Sequence, residues 1–247
     1  MKILVCISSV PDTTSKISFK DSSTFNSDGI QYVINLSDEF GLTKALHLKE
    51  AFGGTITVIN VGLADTEPVI RKALAIGADD AIRINASASN AFFVANEIAA
   101  IAKQNNYDII FTGKESIDFN GGMVTGMLGE LLNIPSFIPC VGLEIQGTDV
   151  TLECLVDGGK EVQTSKLPIV VGAQKGLVDE KDLRIPNMRG IMSARTKPFA
   201  VVQPTTSSNH ESYKEFELPA AKAGCKMISK DDVQELVTLL HKEAKVI

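Results

Sequence analysis

Short apolar bursts alternate with longer amphipathic stretches through the first half of the chain. Ile3–Ile7, TITVINVG (55–62), AIRIN (81–85) and DIIFTG (108–113) are near-continuous apolar runs, as expected of strands buried on both faces. Between them, SDEFGLTKALHLKEAFGG (37–54) places Leu42, Ala45, Leu46 and Leu48 at helical spacing. Ser37 stands as its cap, Asp38 and Glu39 lie in the first turn, and Gly53-Gly54 is its stop. TEPVIRKALAIGADD (66–80) predicts a helix closing at Gly77, NAFFVANEIAAIAKQ (90–104) another, and GGMVTGMLGELLN (121–133) a third. Strands of this length alternating with helices mean βαβ units, and hence an α/β fold, doubly wound around a mostly parallel sheet.

Elsewhere the pattern changes. Residues 16–34 hold two extended pieces, KISFK and GIQYVIN, around the polar FNSDG, which predicts a hairpin-like insertion. Beyond Pro139, VGLEIQGTDVTLECLVDGG and KEVQTSKLPIVVGAQ read as an antiparallel hairpin feeding a last apolar strand, Pro168–Gly172. Residues 176–198 read as irregular, PTTSSNHES (204–212) as a linker, and ISKDDVQELVTLLHKEAK as a terminal amphipathic helix capped by Ser229. The expected organisation is an α/β domain over 1–200 and a linker with a C-terminal helical arm over 201–247, with no internal repeat.

The strand–helix junction around Gly113, Gly121 and Gly122 carries the first candidate chemistry. In an open parallel sheet, ligands sit beyond the carboxyl ends of the strands, where helix N-termini aim unpaired N–H groups outward. Glycines there let backbone approach a phosphate; they equally serve a tight turn with close helix packing, a role open to Gly126 and Gly129. Neither GxxxxGK[ST] nor GxGxxG is present. Asn35-Leu36-Ser37-Asp38 offers hydrogen bonds to a base or ribose, or simply caps a helix. In RIPNMRGIMSARTKP (184–198), cations interleave with Ile185, Met188, Ile191 and Met192, the composition of a partner surface or of a loop folded onto its own domain.

Charge and composition narrow the field. A formal net charge of −6 argues against nucleic acid as a partner, and 22% charged residues beside 44% hydrophobic ones describe a globular chain. The four cysteines form no CxxC and the three histidines no HExxH, so metal and nucleophilic chemistry find no support. No apolar run is long enough to span a membrane and no signal peptide is evident, which predicts a cytoplasmic protein without membrane insertion.

Six blocks, ILVCISSVPD, NLSDEFGLTKALHLKEA, IRKALAIGADDAIRI, GKESIDFNGG, VDGGKEVQTSKLPIVV and IPNMRGIMSARTKP, fall in the order seen in the β subunit of electron transfer flavoprotein, and the resemblance covers roughly residues 1–200. That family implies an adenine-nucleotide-binding fold related to the universal stress proteins. It implies a heterodimer whose α subunit holds most of the FAD, taking electrons from acyl-CoA and related dehydrogenases and delivering them to a quinone oxidoreductase. It implies no catalysis by the β subunit itself, which buries a structural AMP. Carried over by position, the AMP site comprises Cys6, Asn35, Leu36, Ser37, Asp38, Val61, Gly113, Asp118, Gly121, Gly122, Met123 and Val124. Partner docking falls to Arg184, Ile185, Pro186, Asn187, Met188, Ile191 and Met192, with Ile185 at the place of an anchoring leucine.

Departures accompany the resemblance. Ser37 stands where an aromatic is frequent, Leu155 replaces a glutamate that pairs with the α subunit, and Phe119-Asn120 precedes the glycine pair. VPDTT (10–14) resembles electron-bifurcating members, in which β carries a second FAD. A stand-alone nucleotide-binding module of the stress-protein type is a further alternative, as is, with less support, an ATP-cleaving enzyme. The first leaves the segment beyond residue 176 without a role; the second needs a glycine pair that ISSVPDTTS lacks.

Overall fold

Alternation of side chains along each central strand builds two cores. In the computed structural model, which describes every residue except Ser89, residues 206–213 and Ala223, the chain forms two units, Met1–Ile17 with Asn26–Lys214, and Ser18–Phe25 with Glu215–Ile247. In chain order the elements are β1 (Lys2–Cys6), β2 (Ser9–Pro11), β3 (Phe19–Asp21), β4 (Thr24–Phe25), β5 (Tyr32–Ile34), α1 (Leu36–Phe52), β6 (Thr55–Val61), α2 (Glu67–Ile76), β7 (Asp80–Ile84) and α3 (Ala91–Asn105). There follow β8 (Ile109–Gly113), α4 (Val124–Leu132), β9 (Ser136–Gln146), β10 (Asp149–Val156), β11 (Gly159–Lys166), β12 (Ile169–Ala173), α5 (Met188–Ala194), β13 (Phe199–Val202) and α6 (Val233–Leu239).

The main sheet runs β11-β10-β9-β12-β8-β1-β6-β7-β13, parallel from β13 to the start of β9 and antiparallel from there to β11. Ile3, Val5, Ile109, Phe111, Ile169 and Val171 point to the face covered by α1 and α2. Leu4, Cys6, Ile110 and Val170 point to the other, covered by α3 and α4. Both faces are therefore apolar, as the continuous runs require. The fold is the expected α/β, doubly wound around a mostly parallel sheet.

Several details differ from the sequence reading. KISFK and GIQYVIN do not pair with each other: β3 pairs with β4 inside the second unit, while β5 pairs with β2. The expected hairpin after Pro139 is a three-stranded meander, β9-β10-β11, because β9 begins before the proline and is long enough to serve two neighbours. Residues 176–198 are not wholly irregular, since α5 lies among them, and β13 adds a parallel edge strand along β7.

Capping differs too. Asn35, not Ser37, holds the position before α1, and Asp232, not Ser229, caps α6 by accepting from the Glu235 N–H at 2.9 Å. In the second unit Phe19 stacks on Phe216 at 5.2 Å and meets Phe25 edge-on at 6.2 Å. Of the linker expected over 204–212, residues 206–212 lie outside the described residues.

Candidate functional site: a cleft at the switch point

From β1 the chain crosses to β6 and β7 on one side, and then β8 takes up the other side of β1. That reversal opens a crevice beyond the carboxyl ends of β1 and β8. A cleft of about 480 Å³ lies there, lined by Cys6, Asp38, Val61, Gly113, Asp118, Gly121, Gly122, Met123 and Val124 among others. Of the expected cofactor residues, Asn35, Leu36 and Ser37 do not line it.

Asn35 acts instead inside the protein. Fully buried, it donates from Nδ2 to Asp38 Oδ1 and to the Glu115 carbonyl, both at 2.9 Å, and its Oδ1 accepts from the Ile117 N–H at 3.2 Å. It thereby ties the start of α1 to the loop after β8. Leu36 is exposed and Ser37 half-buried. The Asn35 side chain braces a loop and makes no cap bond.

Glycine roles also separate. Gly122 has φ +61 and Asn120 φ +50, so the turn entering α4 needs left-handed backbone at both. A Cβ on Gly126 meets nothing within 4 Å, whereas one on Gly129 would press on Ser136 at 2.8 Å. Close packing therefore explains Gly129 and not Gly126. The helix begins only at Val124, leaving Gly121 to Met123 as an approach that lines the cleft together with Val124.

α3 begins at the same cleft, with Asn90 and Ala91 in the lining and Asn90 accepting from the Phe93 N–H at 2.8 Å. Polar residues not singled out in the sequence complete the wall: Ser8, Ser9, Asn60, Thr66 and Ser87. Asn60 was visible as a polar interruption of TITVINV. It is buried, donates to the Ile7 carbonyl at 2.8 Å and accepts from Thr66 Oγ1 at 2.8 Å.

Ser9 differs, because its hydroxyl is buried beside the cleft wall with no partner among the described residues. A hydroxyl left so costs about 1–3 kcal/mol. The wall carries Asp38, Asp65, Glu115 and Asp118 against one cation, Lys114, itself paired with Glu115 at 3.2 Å. An anion would thus be held by backbone N–H groups and not by lysine or arginine.

Burial pushes the Asp38 carboxyl up to about 7 against the hydrogen bonds that favour its charged form, from Ser8 N–H at 2.7 Å and Asn35. A carboxyl with a raised folded pKa stabilises the fold fully below its unfolded value near 3.8 and loses that contribution as pH rises through about 7. Stability is expected to fall across that window by at most about 1.4 kcal/mol per pH unit from this group. Asp38→Asn should flatten that part of the denaturant-midpoint profile; a variant that keeps the wild-type slope would show the assignment wrong. Burial, and secondarily the Asp38 charge, also raises the Cys6 thiol, making it an unreactive wall of the cleft.

The expected docking residues lie together on α5 and the segment leading into it. Ile185, Met188 and Met192 are 79%, 75% and 68% exposed. Ile191 is also exposed, and Pro186 is half-buried. Arg184 is not free: its guanidinium holds Glu50 at 2.9 and 3.0 Å and its N–H meets Thr43 at 3.2 Å. Asn187 caps α5, accepting from the Gly190 N–H at 2.8 Å. The segment is thus folded onto its own domain through backbone and polar contacts while its large apolar side chains stay uncovered within the chain. Among the described residues, no group of three or more His, Cys, Asp or Glu is placed to hold a metal, and no helix is long and apolar enough to cross a membrane.

A doubly wound α/β fold with a cleft at the switch point leaves many families open, and comparison with known proteins selects one. The family description "Electron transfer flavoprotein domain" matches residues 23–207. The chain is 34% identical to the electron transfer flavoprotein subunit beta of Bacillus subtilis, covering 100% of both chains. It is 34% identical to the subunit of the same name from Syntrophomonas wolfei, over 90% of this chain and 88% of that one. It is 28% identical to the acryloyl-CoA reductase electron transfer subunit gamma of Anaerotignum propionicum, over 82% and 77%. The chain belongs to the electron transfer flavoprotein family, as a member of its β-subunit branch, and its role lies in electron transfer.

Proposed function

We propose that this chain is the β subunit of a cytoplasmic, heterodimeric electron transfer flavoprotein that holds AMP as a structural ligand in the switch-point cleft. It helps enclose FAD held mainly by an α subunit, and it docks acyl-CoA and related dehydrogenases through residues 184–192, with a quinone oxidoreductase as the eventual acceptor. FAD, when bound, supplies all of the redox chemistry; this chain binds, orients and docks, and performs no catalysis of its own.

The observation that carries the nucleotide reading is one cleft containing Cys6, Asp38, Val61 and the Gly113–Val124 turn. The phosphate rests on N–H groups of Gly121 to Val124. A monophosphate is favoured over a di- or triphosphate, since each added phosphate meets Asp65, Glu115 and Asp118 and, among the described lining residues, a single, already paired lysine. The volume suits a mononucleotide better than a whole dinucleotide, small-molecule sites spanning roughly 300–1,000 Å³.

Co-expression with an α subunit, purification, denaturation and chromatography of the released nucleotides tests the reading. Equimolar FAD and AMP per heterodimer is the expected result. Two FAD and no AMP would replace it with the electron-bifurcating form, and failure to form a complex with α would favour a stand-alone nucleotide-binding module.

A further inference from the structure

The docking segment is short for something that must present a defined surface. α5 has seven residues, fewer than a helix needs to persist unaided in water. Its order comes from α2. Gly190 sits so close to the Ala75 carbonyl that a Cβ there would overlap it, and Ala194 is the buried residue of α5.

At the far end, Arg71 of α2 donates from Nη1 to the Ala194 carbonyl at 2.8 Å, one of the carbonyls that a helix C-terminus leaves without an internal partner. The same guanidinium lies over the Phe199 ring at 4.6 Å and meets Glu67 at 3.2 Å, so its fork is fixed on three sides. The exchange is reciprocal. Lys197, just beyond α5, donates to the Leu74 and Ala78 carbonyls at 2.8 and 2.5 Å, closing the C-terminus of α2. Each helix end thus carries a cation supplied by the other's segment, where the helix dipole favours it.

We propose that Arg71 is a positioning residue for partner docking: it preforms α5 so that Ile185, Met188 and Met192 meet a dehydrogenase as one fixed apolar patch. This rests on the docking role proposed above. Arg71 itself need not touch the partner; its contribution is the ordering that the partner would otherwise have to impose, a cost that appears as weaker binding.

The test uses the heterodimer of the full chain with an α subunit, and a purified acyl-CoA dehydrogenase as electron donor. Arg71→Met is expected to raise the KM for the flavoprotein by roughly 10-fold or more, the loss of one charge-assisted hydrogen bond. kcat at saturation should stay within about twofold, bound FAD and AMP should be unchanged, and amide hydrogen exchange over residues 188–197 should accelerate.

Arg71→Lys keeps a donor for the Ala194 carbonyl but not the planar stacking. It should recover most of the KM, and it carries the test if the methionine variant does not accumulate, with a rise of roughly threefold. Faster exchange with an unchanged KM, or an unchanged exchange pattern, would overturn the inference. Ile185→Ala, assayed alongside, separates the two levels. No effect of Ile185→Ala on KM removes the docking reading and this inference with it, whereas an effect there and none at Arg71 overturns the positioning role alone.

Discussion

Gly113→Val is expected to destabilise the fold by roughly 3 kcal/mol or more and to empty the nucleotide cleft. Gly113 ends β8, and a Cβ there would overlap Asp38 Oδ1, lie 2.8 Å from Asn35 Nδ2 and 3.0 Å from Ser37 Cβ. None of these neighbours is the loose end of a flexible side chain. Asp38 is buried and holds the Ser8 N–H, while Asn35 holds the loop at Glu115 and Ile117. Three added carbons must therefore push α1 away from the sheet or break that network, and either movement shifts the turn that precedes α4.

Gly126→Ala is the matched control, because a Cβ there meets nothing and alanine favours a helix over glycine by about 1 kcal/mol. Denaturant midpoints and the AMP content of the purified heterodimer read both variants. A Gly113→Val protein with wild-type midpoint and full AMP content would show that the crowding is illusory. The comparison also sorts two glycines that look equivalent in sequence: one is required by its neighbours, the other by nothing in the chain itself.

That difference marks where the sequence was readable. Runs such as TITVINVG and DIIFTG announce strands because burial on both faces removes the polar alternation, and the order of those runs is enough to call a parallel sheet. β13 escaped because FAVV is short, follows the mixed segment ARTKP and leads into Pro204, so neither length nor pattern separates it from a loop. The caps were misplaced by a few residues because several polar side chains stand near each helix start. Asn35, Ser37 and Asp38 are all plausible by type, and which one turns inward depends on the Glu115–Ile117 loop, some eighty residues away.

For the cleft, the glycine turn was reachable from its place between a strand and a helix, and Cys6 through the family resemblance. Ser9 was not, since an unpartnered hydroxyl is a property of packing and leaves no sequence signal. The docking segment shows the same limit. Its composition left open whether it faces a partner or its own domain, and the fold assigns backbone, Arg184 and Lys197 to the domain and apolar side chains to the surface.

Ile185→Asp should nearly abolish reduction of the heterodimer by a dehydrogenase, raising KM by about 100-fold or more, while leaving the fold and the bound nucleotides intact. The two expectations follow from the same number. Ile185 is 79% exposed, so a carboxylate there stays solvated in the free protein and costs little stability. Docked in an apolar pocket, that carboxylate would have to shed its water with no cation to meet it, and such a desolvation is severe.

Ile185→Leu preserves volume and apolarity and is expected to dock as the wild type does. Thermal unfolding, nucleotide content and steady-state kinetics against dehydrogenase concentration distinguish a docking defect from a folding defect. An Ile185→Asp heterodimer with unchanged KM would move the docking site elsewhere on the chain. One that unfolds early would instead mean that Ile185 is covered in the heterodimer by the α subunit. If only KM moves, the exposed side chain is the anchor, and the uncovered Met188 and Met192 beside it become its apolar surround, a pair of unbranched residues able to adjust to more than one dehydrogenase.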